Sequence, residues 1–285
     1  MKIYDRQTGS YEEIVQYGAG KLEFLYNNPF GRLFLGIAVS PFVSDIYAKK
    51  KAKKSSCKDI PEFISNHNID MSDYEEKEYE SFTDFFTRKI KSGKRPVDMA
   101  PDAFIAPCDS KLLVYKIGGD TRMNVKGREY TAAEILGGEE HAKEFSNGYA
   151  LVFRLTVDDY HRFCFPDSGK VISRKEIKGK LHTVSPVSKD HKIYHENTRN
   201  VNILKTDNFG MLAFIEVGAM LIGRIVDEGA EVFSKGQEKG YFEPGGSTVI
   251  VFANNIKIDD DILEQSVSGV ETKVRFGERI GEKIC

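Results

Sequence analysis

The sequence predicts an α+β fold, with helices first and a mainly antiparallel β core after them. Two observations carry this. Apolar residues recur at helical spacing within the first 95 or so positions, whereas from about Val97 to Gly246 the apolar residues fall into short β-rich runs punctuated by Gly, Asp or Asn. A strongly β-forming run, Thr248-Val249-Ile250-Val251-Phe252, then opens the last part of the chain. With 285 residues and 40% hydrophobic composition, the chain can bury a real core.

In the first region, the apolar runs Leu22 to Tyr26 and Leu33 to Val39 are broken by Pro29, Gly31 and Pro41, and Leu33, Phe34, Ile37, Phe42, Ile46 and Tyr47 recur at roughly helical spacing. A basic block follows: Lys49, Lys50, Lys51, Lys53, Lys54 and Lys58. The pattern is helical again from Ile60. Phe82, Phe85, Phe86 and Lys89 stand at i, i+3, i+4 and i+7, an apolar face with a basic end, stopped by Gly93 and Pro96. A structural helical region has this texture. So does a membrane-docking surface, with apolar residues entering the interface and each lysine contributing about 1 kcal/mol near anionic head groups. The lysine block lacks interleaved aromatics and arginines, so no nucleic-acid partner is expected. The net charge of -2 adds no bulk preference.

In the second region, strands are expected over 111–117, 150–155, 169–177, 201–205, 211–217 and 219–226, with a short helix over 131–136. The division is a helical membrane-associating region, 1–95, and a β-rich catalytic domain, 96–285. The start, MKIYDRQTGSYEE, has no basic region followed by an apolar run, so a cleaved signal peptide is not expected. No apolar stretch reaches the roughly eighteen residues of a spanning helix. Cys57, Cys108, Cys164 and Cys285 have no CxxC or CxxH spacing and read as reduced, mostly buried thiols. No His/Cys/Glu cluster points to a metal.

Three segments stand out for chemistry. The first is Glu243-Pro244-Gly245-Gly246-Ser247-Thr248. An isolated Gly-Gly-Ser before a strand is usually a turn. A serine hydroxyl beside a glycine carbonyl can also attack it through a five-membered ring, an N-to-O acyl shift, and a turn pinned by a strand is where strain assists this. The second is Asp158-Asp159-Tyr160-His161-Arg162. A lone histidine is more often structural, but His161 follows an apolar strand, where scaffold-held catalytic groups collect, and imidazole serves as both base and acid. The third is Pro107-Cys108-Asp109-Ser110. Pro-x-Asp before a strand is usually a turn or cap; the other reading has Asp109 orienting a histidine, as the acid does in a Ser-His-Asp arrangement.

In this order the three segments resemble the phosphatidylserine decarboxylase family. Pro107-Cys108-Asp109-Ser110 is similar to its Pro-x-Asp-Gly segment, Asp159-Tyr160-His161-Arg162 to its Asp-Tyr-His-Arg motif, and Gly245-Gly246-Ser247-Thr248 to a variant of its Gly-Ser-Thr cleavage motif. Three further stretches are family-like: Phe82 to Pro96, with Phe-x-x-Phe-Phe-x-Arg and a later Arg-Pro; Lys235 to Phe242, with Lys-Gly-x-Glu-x-Gly-x-Phe; and Glu196-Asn197-Thr198-Arg199.

The resemblance implies a barrel-like β core and a proenzyme that cuts itself between Gly246 and Ser247. The products are a β chain, 1–246, and an α chain, 247–285, whose first residue, from Ser247, is a pyruvoyl group. That group is the covalent cofactor, forms a Schiff base with the substrate amine and serves as electron sink. Phosphatidylserine becomes phosphatidylethanolamine. Asp109, His161 and Ser247 are the implied catalytic residues: His161 the base, with Asp109 polarising it. No metal is implied. The implied partners are phosphatidylserine and an anionic membrane surface, on the cytoplasmic side of the cell membrane, with a homodimer left open. The sequence departs from the family pattern twice: Cys164 stands where many members have a second histidine, and Ser110 where glycine is usual. Two rival readings are a pyruvoyl decarboxylase of a soluble amino acid and an uncleaved, inactive lipid-binding homologue. His182 and His195 have no assigned role.

Overall fold

The fold was analysed in a computed structural model that describes residues 2–13, 19–184, 186–188, 190–220, 224–245 and 247–284. The expected helical spacing becomes three consecutive helices, Ala19–Asn27, Pro29–Ala38 and Pro41–Lys51. Asn28 caps the second through its side chain, which accepts from the Phe30 and Gly31 N–H groups. Proline opens the second and third helices, where its missing N–H costs nothing. The last two are bent by 69° relative to one another. Among the described residues no single helix is long and apolar enough to cross a membrane.

Further on, Ile60–His67 packs on the short helix Phe82–Phe86, burying Ile60, Phe82, Phe85 and Phe86 in a satellite cluster that Val157 also joins. The second of these helices is shorter than its sequence spacing predicts. It ends at Thr87, so Lys89 lies outside it.

The core is a ten-stranded sheet. Its order is Val232–Phe233, Gly169–Ile177, Arg199–Thr206, Gly210–Gly218, Ser247–Ala253, Tyr149–Leu155, Ser110–Lys116, Glu271–Val274, Lys2–Asp5 and Ser10–Glu13. All neighbours are antiparallel except Lys2–Asp5 with Glu271–Val274. The α+β class and the antiparallel core are as expected. The barrel-like shape is not: the sheet is open, with Val232–Phe233 at one end and Ser10–Glu13 at the other. Closure requires the two end strands to pair. Here one end strand has only two residues, and the other is exposed throughout. Residues 2–13, read by sequence as part of the helical region, supply two strands of this sheet.

Two three-stranded sheets accompany it, Ile225–Asp227 with Glu238–Phe242 and Arg162–Cys164, and Ile256–Ile258 with Arg279–Lys283 and Ala103–Ile105, besides a two-stranded one, Arg122–Val125 with Arg128–Thr131. The run expected over 219–226 is a strand only from Ile225, and positions 221–223 lie outside the described residues. The helix expected over 131–136 forms as Ala132–Leu136, opened by a capping box between Thr131 and Glu134.

Candidate active site

The three segments singled out by sequence meet where the main sheet hands over to a flanking one. Tyr149–Leu155 pairs with Ser247–Ala253 in the main sheet, placing Leu155 opposite Ser247. A few residues on, Arg162–Cys164 pairs with Glu238–Phe242, placing Arg162 opposite Tyr241, and the Phe242 N–H donates to the His161 carbonyl at 3.0 Å. The loop 156–161 and the stretch that starts at 243–245 therefore lie between the same two pairs of strands. The third segment runs alongside. Lys111 pairs with Arg154 on one side of the handover, and the Cys164 N–H donates to the Pro107 carbonyl at 2.8 Å on the other. Long-range strand pairing thus brings Asp109, His161 and Ser247 into one junction from three distant stretches of chain.

Gly245 has φ of +143°, a conformation that side-chain-bearing residues rarely adopt. Gly246, the expected cleavage residue, lies outside the described residues. Ser247 is fully buried, and its Oγ has no hydrogen-bond partner. A buried, unpaired hydroxyl costs free energy, on the order of 1–3 kcal/mol, so its presence in a strand bonded on both edges calls for a reason other than packing.

His161 is 1% exposed and lies against Phe86, with ring centroids 4.2 Å apart. Its Nδ1 is 2.9 Å from the Asp159 carbonyl oxygen. A carbonyl only accepts, so a neutral ring carries its proton on Nδ1 and leaves the lone pair on Nε2. Burial, helped by the Arg88 cation, pushes the His161 pKa down to about 3, against the opposing Asp159 carbonyl and Asp158. The ring is therefore neutral at pH 7, with a free base nitrogen that is itself buried and unpartnered.

Asp109 does not hydrogen-bond to His161 in this arrangement. Its carboxylate accepts from Arg95 Nε at 3.0 Å, from Arg95 Nη2 at 2.7 Å and from the Phe276 N–H at 2.8 Å. The group that fixes the His161 tautomer is the Asp159 backbone. The loop carrying that carbonyl is held in turn by its own side chain: half-buried Asp159 receives Lys111 Nζ at 2.6 Å and the Thr156 N–H at 2.7 Å. Burial raises the Asp159 pKa, while Lys111 opposes the rise.

A scan of family models matches residues 82–282 to the phosphatidylserine decarboxylase family. A phosphatidylserine decarboxylase proenzyme 2 of Clostridium acetobutylicum is 51% identical over 98% of both chains. A phosphatidylserine decarboxylase proenzyme of Clostridium tetani is 40% identical over 100% of this chain and 99% of its own. One of Fusobacterium nucleatum is 38% identical over 99% of this chain and 98% of its own. The chain belongs to the phosphatidylserine decarboxylase family.

Within that family frame, the two departures have plain structural places. Cys164 is fully buried in the flanking sheet, where burial pushes its thiol pKa far up, so it is a packing residue at neutral pH. Cys108 is likewise buried and free, Cys57 is half-buried, and Cys285 lies outside the described residues. Ser110 opens its strand opposite Val274 and leaves the Asp109 carboxylate bonded as above. His195 is at the surface, with Nδ1 3.2 Å from the Glu134 carbonyl.

Arg88 and Arg95 are the two arginines of the family-like Phe82–Pro96 stretch, but the sequence assigned neither a role. Arg95 anchors Asp109. Arg88 is 3% exposed and sits over the Tyr74 and Phe85 rings, with Nε and Nη2 unpartnered. The sequence also left His182 without a role, gave Glu196 only within a family-like stretch, and did not single out His191; the side chains of these three converge in the loop between Gly169–Ile177 and Arg199–Thr206.

Proposed function

We propose that this chain is a phosphatidylserine decarboxylase that matures by cutting itself at Ser247. The observation that carries the reading is the pair of buried, unpartnered atoms at the junction, Ser247 Oγ and His161 Nε2. One is a nucleophile without a hydrogen-bond acceptor, the other a neutral base without a donor. Family membership over nearly the whole chain supports the substrate class.

In maturation, His161 Nε2 takes the Ser247 hydroxyl proton. Oγ bonds to the Gly246 carbonyl carbon, the Gly246–Ser247 C–N bond breaks, and an ester remains with a free amine at position 247. Loss of the position-247 Cα proton then expels the Gly246 carboxylate and leaves dehydroalanine. Water addition and loss of ammonia convert that residue to a pyruvoyl group. A pyruvoyl group at this position supplies a ketone for the substrate amine and an electron sink for the departing carboxylate. The surrounding chain keeps the position buried and dry. His161, neutral and next to Phe86, holds or returns a proton at Nε2. Asp109, clamped by Arg95 and the Phe276 N–H, keeps a fixed negative charge beside the segment that carries the base.

The first helices supply the encounter with lipid. Phe30, Leu33, Ile37 and Phe42 are 64–74% exposed, and Phe24, Phe34 and Ile46 are exposed as well. Such a contiguous apolar surface marks an interaction site. Lys49, Lys50, Lys53, Lys54 and Lys58 stand exposed just beyond it, while Lys51 is bound to Asp59 at 2.8 Å. The chain accordingly docks peripherally on the anionic, cytoplasmic face of the cell membrane, which favours a lipid substrate over a soluble amino acid.

The test is the intact mass of the denatured protein. Two chains are expected, divided between Gly246 and Ser247, the shorter beginning in a ketone instead of an amine. Ser247→Ala is expected to stay a single chain with no decarboxylase activity. A wild-type chain that stays whole on incubation would favour the uncleaved lipid-binding reading, and normal splitting of Ser247→Ala would remove the assigned nucleophile.

A further inference from the structure

Away from the junction, the loop between Gly169–Ile177 and Arg199–Thr206 gathers His182, His191 and Glu196; the Glu196 carboxylate accepts from the Lys192 N–H at 3.1 Å and, at the surface, from Lys180 Nζ at 3.4 Å, but from neither imidazole. His182 is 2% exposed, and its Nδ1 lies 3.1 Å from the Tyr26 hydroxyl, which also accepts the Thr183 N–H at 3.0 Å. Its Nε2 has no hydrogen-bond partner. That nitrogen is 3.5 Å from Glu196 Oε2, and His191 Nδ1 is 4.0 Å from the same oxygen. The two rings stack, with centroids 4.1 Å apart. One ligand atom from each residue falls within 4.8 Å of the other two.

These separations exceed ordinary N–H···O distances, so neither imidazole is hydrogen-bonded to the carboxylate. They come close to what a shared ion needs: with metal–ligand bonds of about 2.0–2.1 Å, tetrahedral neighbours stand roughly 3.3 Å apart. Tyr26 completes the pattern. If its oxygen accepts from His182 Nδ1–H, the Nε2 lone pair points at the cluster, as an outer partner orients a ligating imidazole. Two imidazoles and one carboxylate suit zinc and its neighbours better than magnesium or calcium, which prefer all-oxygen sites.

We infer that His182, His191 and Glu196 form a binding site for a divalent transition metal of the zinc class, with the fourth coordination position left to water. The sequence led to no metal being expected, because ligands spaced His-x8-His-x4-Glu match no familiar ligand motif. The site's location gives it a structural role. Tyr26 brings in the helix Ala19–Asn27. Asn197, next to Glu196, accepts the His182 N–H at 2.9 Å and donates to the His182 and Gly218 carbonyls, each at 2.8 Å. Gly218 is paired with Ser247. A bound ion would therefore pin the first helix and this loop to the strand beside Ser247.

The experiment uses the full-length wild-type chain and its Ser247→Ala form, both purified without a polyhistidine tag. Each is incubated with Zn2+, passed over a desalting column and assayed for metal by mass spectrometry. About one zinc per chain is expected in both. His191→Ala and Glu196→Gln, at partly exposed positions, are expected to reduce retention at least tenfold with unchanged circular dichroism. The Co2+-loaded wild type is expected to show tetrahedral d–d absorption that both variants lose. No retained zinc in the wild type, or equal retention in both variants, would overturn the site and leave a plain polar cluster. Because Ser247→Ala is included, the result does not depend on whether the chain cuts itself.

Discussion

His161 illustrates how one side chain's surroundings set its chemistry. An exposed imidazole is half protonated near pH 6.5, and a base of that kind loses half its rate there. Burial and Arg88 lower the His161 pKa to about 3, so the neutral, proton-accepting form persists well into the acid range. The sign follows directly: the active form is the deprotonated one, and lowering the pKa moves the acid limb to lower pH. Self-cleavage of freshly synthesised chain is therefore expected to run at a nearly constant rate from pH ~8 down to ~5. Chain splitting followed by gel electrophoresis across that range measures it. A half-rate point near pH 6.5 would mean that an exposed group, not His161, is the base. The same shift bears on stability, since a depressed histidine pKa means the unfolded chain takes up a proton that the folded chain refuses. For single-chain Ser247→Ala, stability is expected to fall by up to about 1.4 kcal/mol per pH unit below pH ~6.5 on account of this residue. The difference in urea midpoint between Ser247→Ala and Ser247→Ala with His161→Gln isolates the effect.

At the scale of elements, the first helices were the most legible part of the chain and also the part that the core explains least. The spacing of Leu33, Phe34, Ile37, Phe42 and Ile46 predicts helices, and helices form, but those side chains face outward. Removing them should leave the fold intact and weaken attachment to lipid. Ser at Phe30, Leu33 and Phe34 together is expected to cut vesicle binding at least tenfold, since each apolar side chain withdrawn from water is worth about 1.5–3 kcal/mol. That loss is insensitive to salt. Gln at Lys49, Lys50 and Lys53 is expected to cost about fivefold per lysine, on anionic vesicles only and at low salt. Flotation with neutral and anionic vesicles separates the two, and unchanged binding in both variants would make this face an ordinary surface. Elsewhere legibility followed apolar content. The runs within 150–155, 169–177, 201–205 and 211–217 became strands with bounds shifted by two residues or fewer. Ser10–Glu13 was missed because an edge strand buries little, and Lys2–Asp5, paired on both sides, because its four residues bury only Ile3 and Asp5 and form no apolar run. The open sheet was hidden for a related reason: which strands pair at the ends is a matter of register, which local composition does not encode. Of the candidate site, the three motifs that meet at the junction were legible. Its supporting groups, Arg95 on Asp109 and Lys111 on Asp159, come from pairings that only the fold creates.

At the scale of the whole molecule, cutting before Ser247 would sever the chain at the centre of its sheet. Ser247–Ala253 lies between Gly210–Gly218 and Tyr149–Leu155, and Glu271–Val274 lies between Ser110–Lys116 and Lys2–Asp5. The C-terminal piece buries Val249, Ile250, Val251, Phe252, Ile256, Ile258, Ile262, Val274 and Ile280, each 1% exposed or less. Burial of that set is worth on the order of 20 kcal/mol. The buried Arg154–Glu271 pair, with Nε to Oε1 at 2.9 Å, adds a contact whose loss would strand a charge in the core. Holding two chains together costs an estimated 4–15 kcal/mol, so the balance favours a permanent assembly. The two pieces are therefore expected to co-elute on gel filtration at the mass of the uncut chain, after any dilution short of denaturation, and to part only in urea or guanidinium. Glu271→Ala is expected to lower the denaturant midpoint by an amount equivalent to about 3–5 kcal/mol, because Arg154 would remain buried without its partner. Spontaneous loss of the short chain under native conditions would show that the strand inventory of the sheet changes on maturation. A Glu271→Ala protein as stable as the parent would show that Arg154 finds another partner or water.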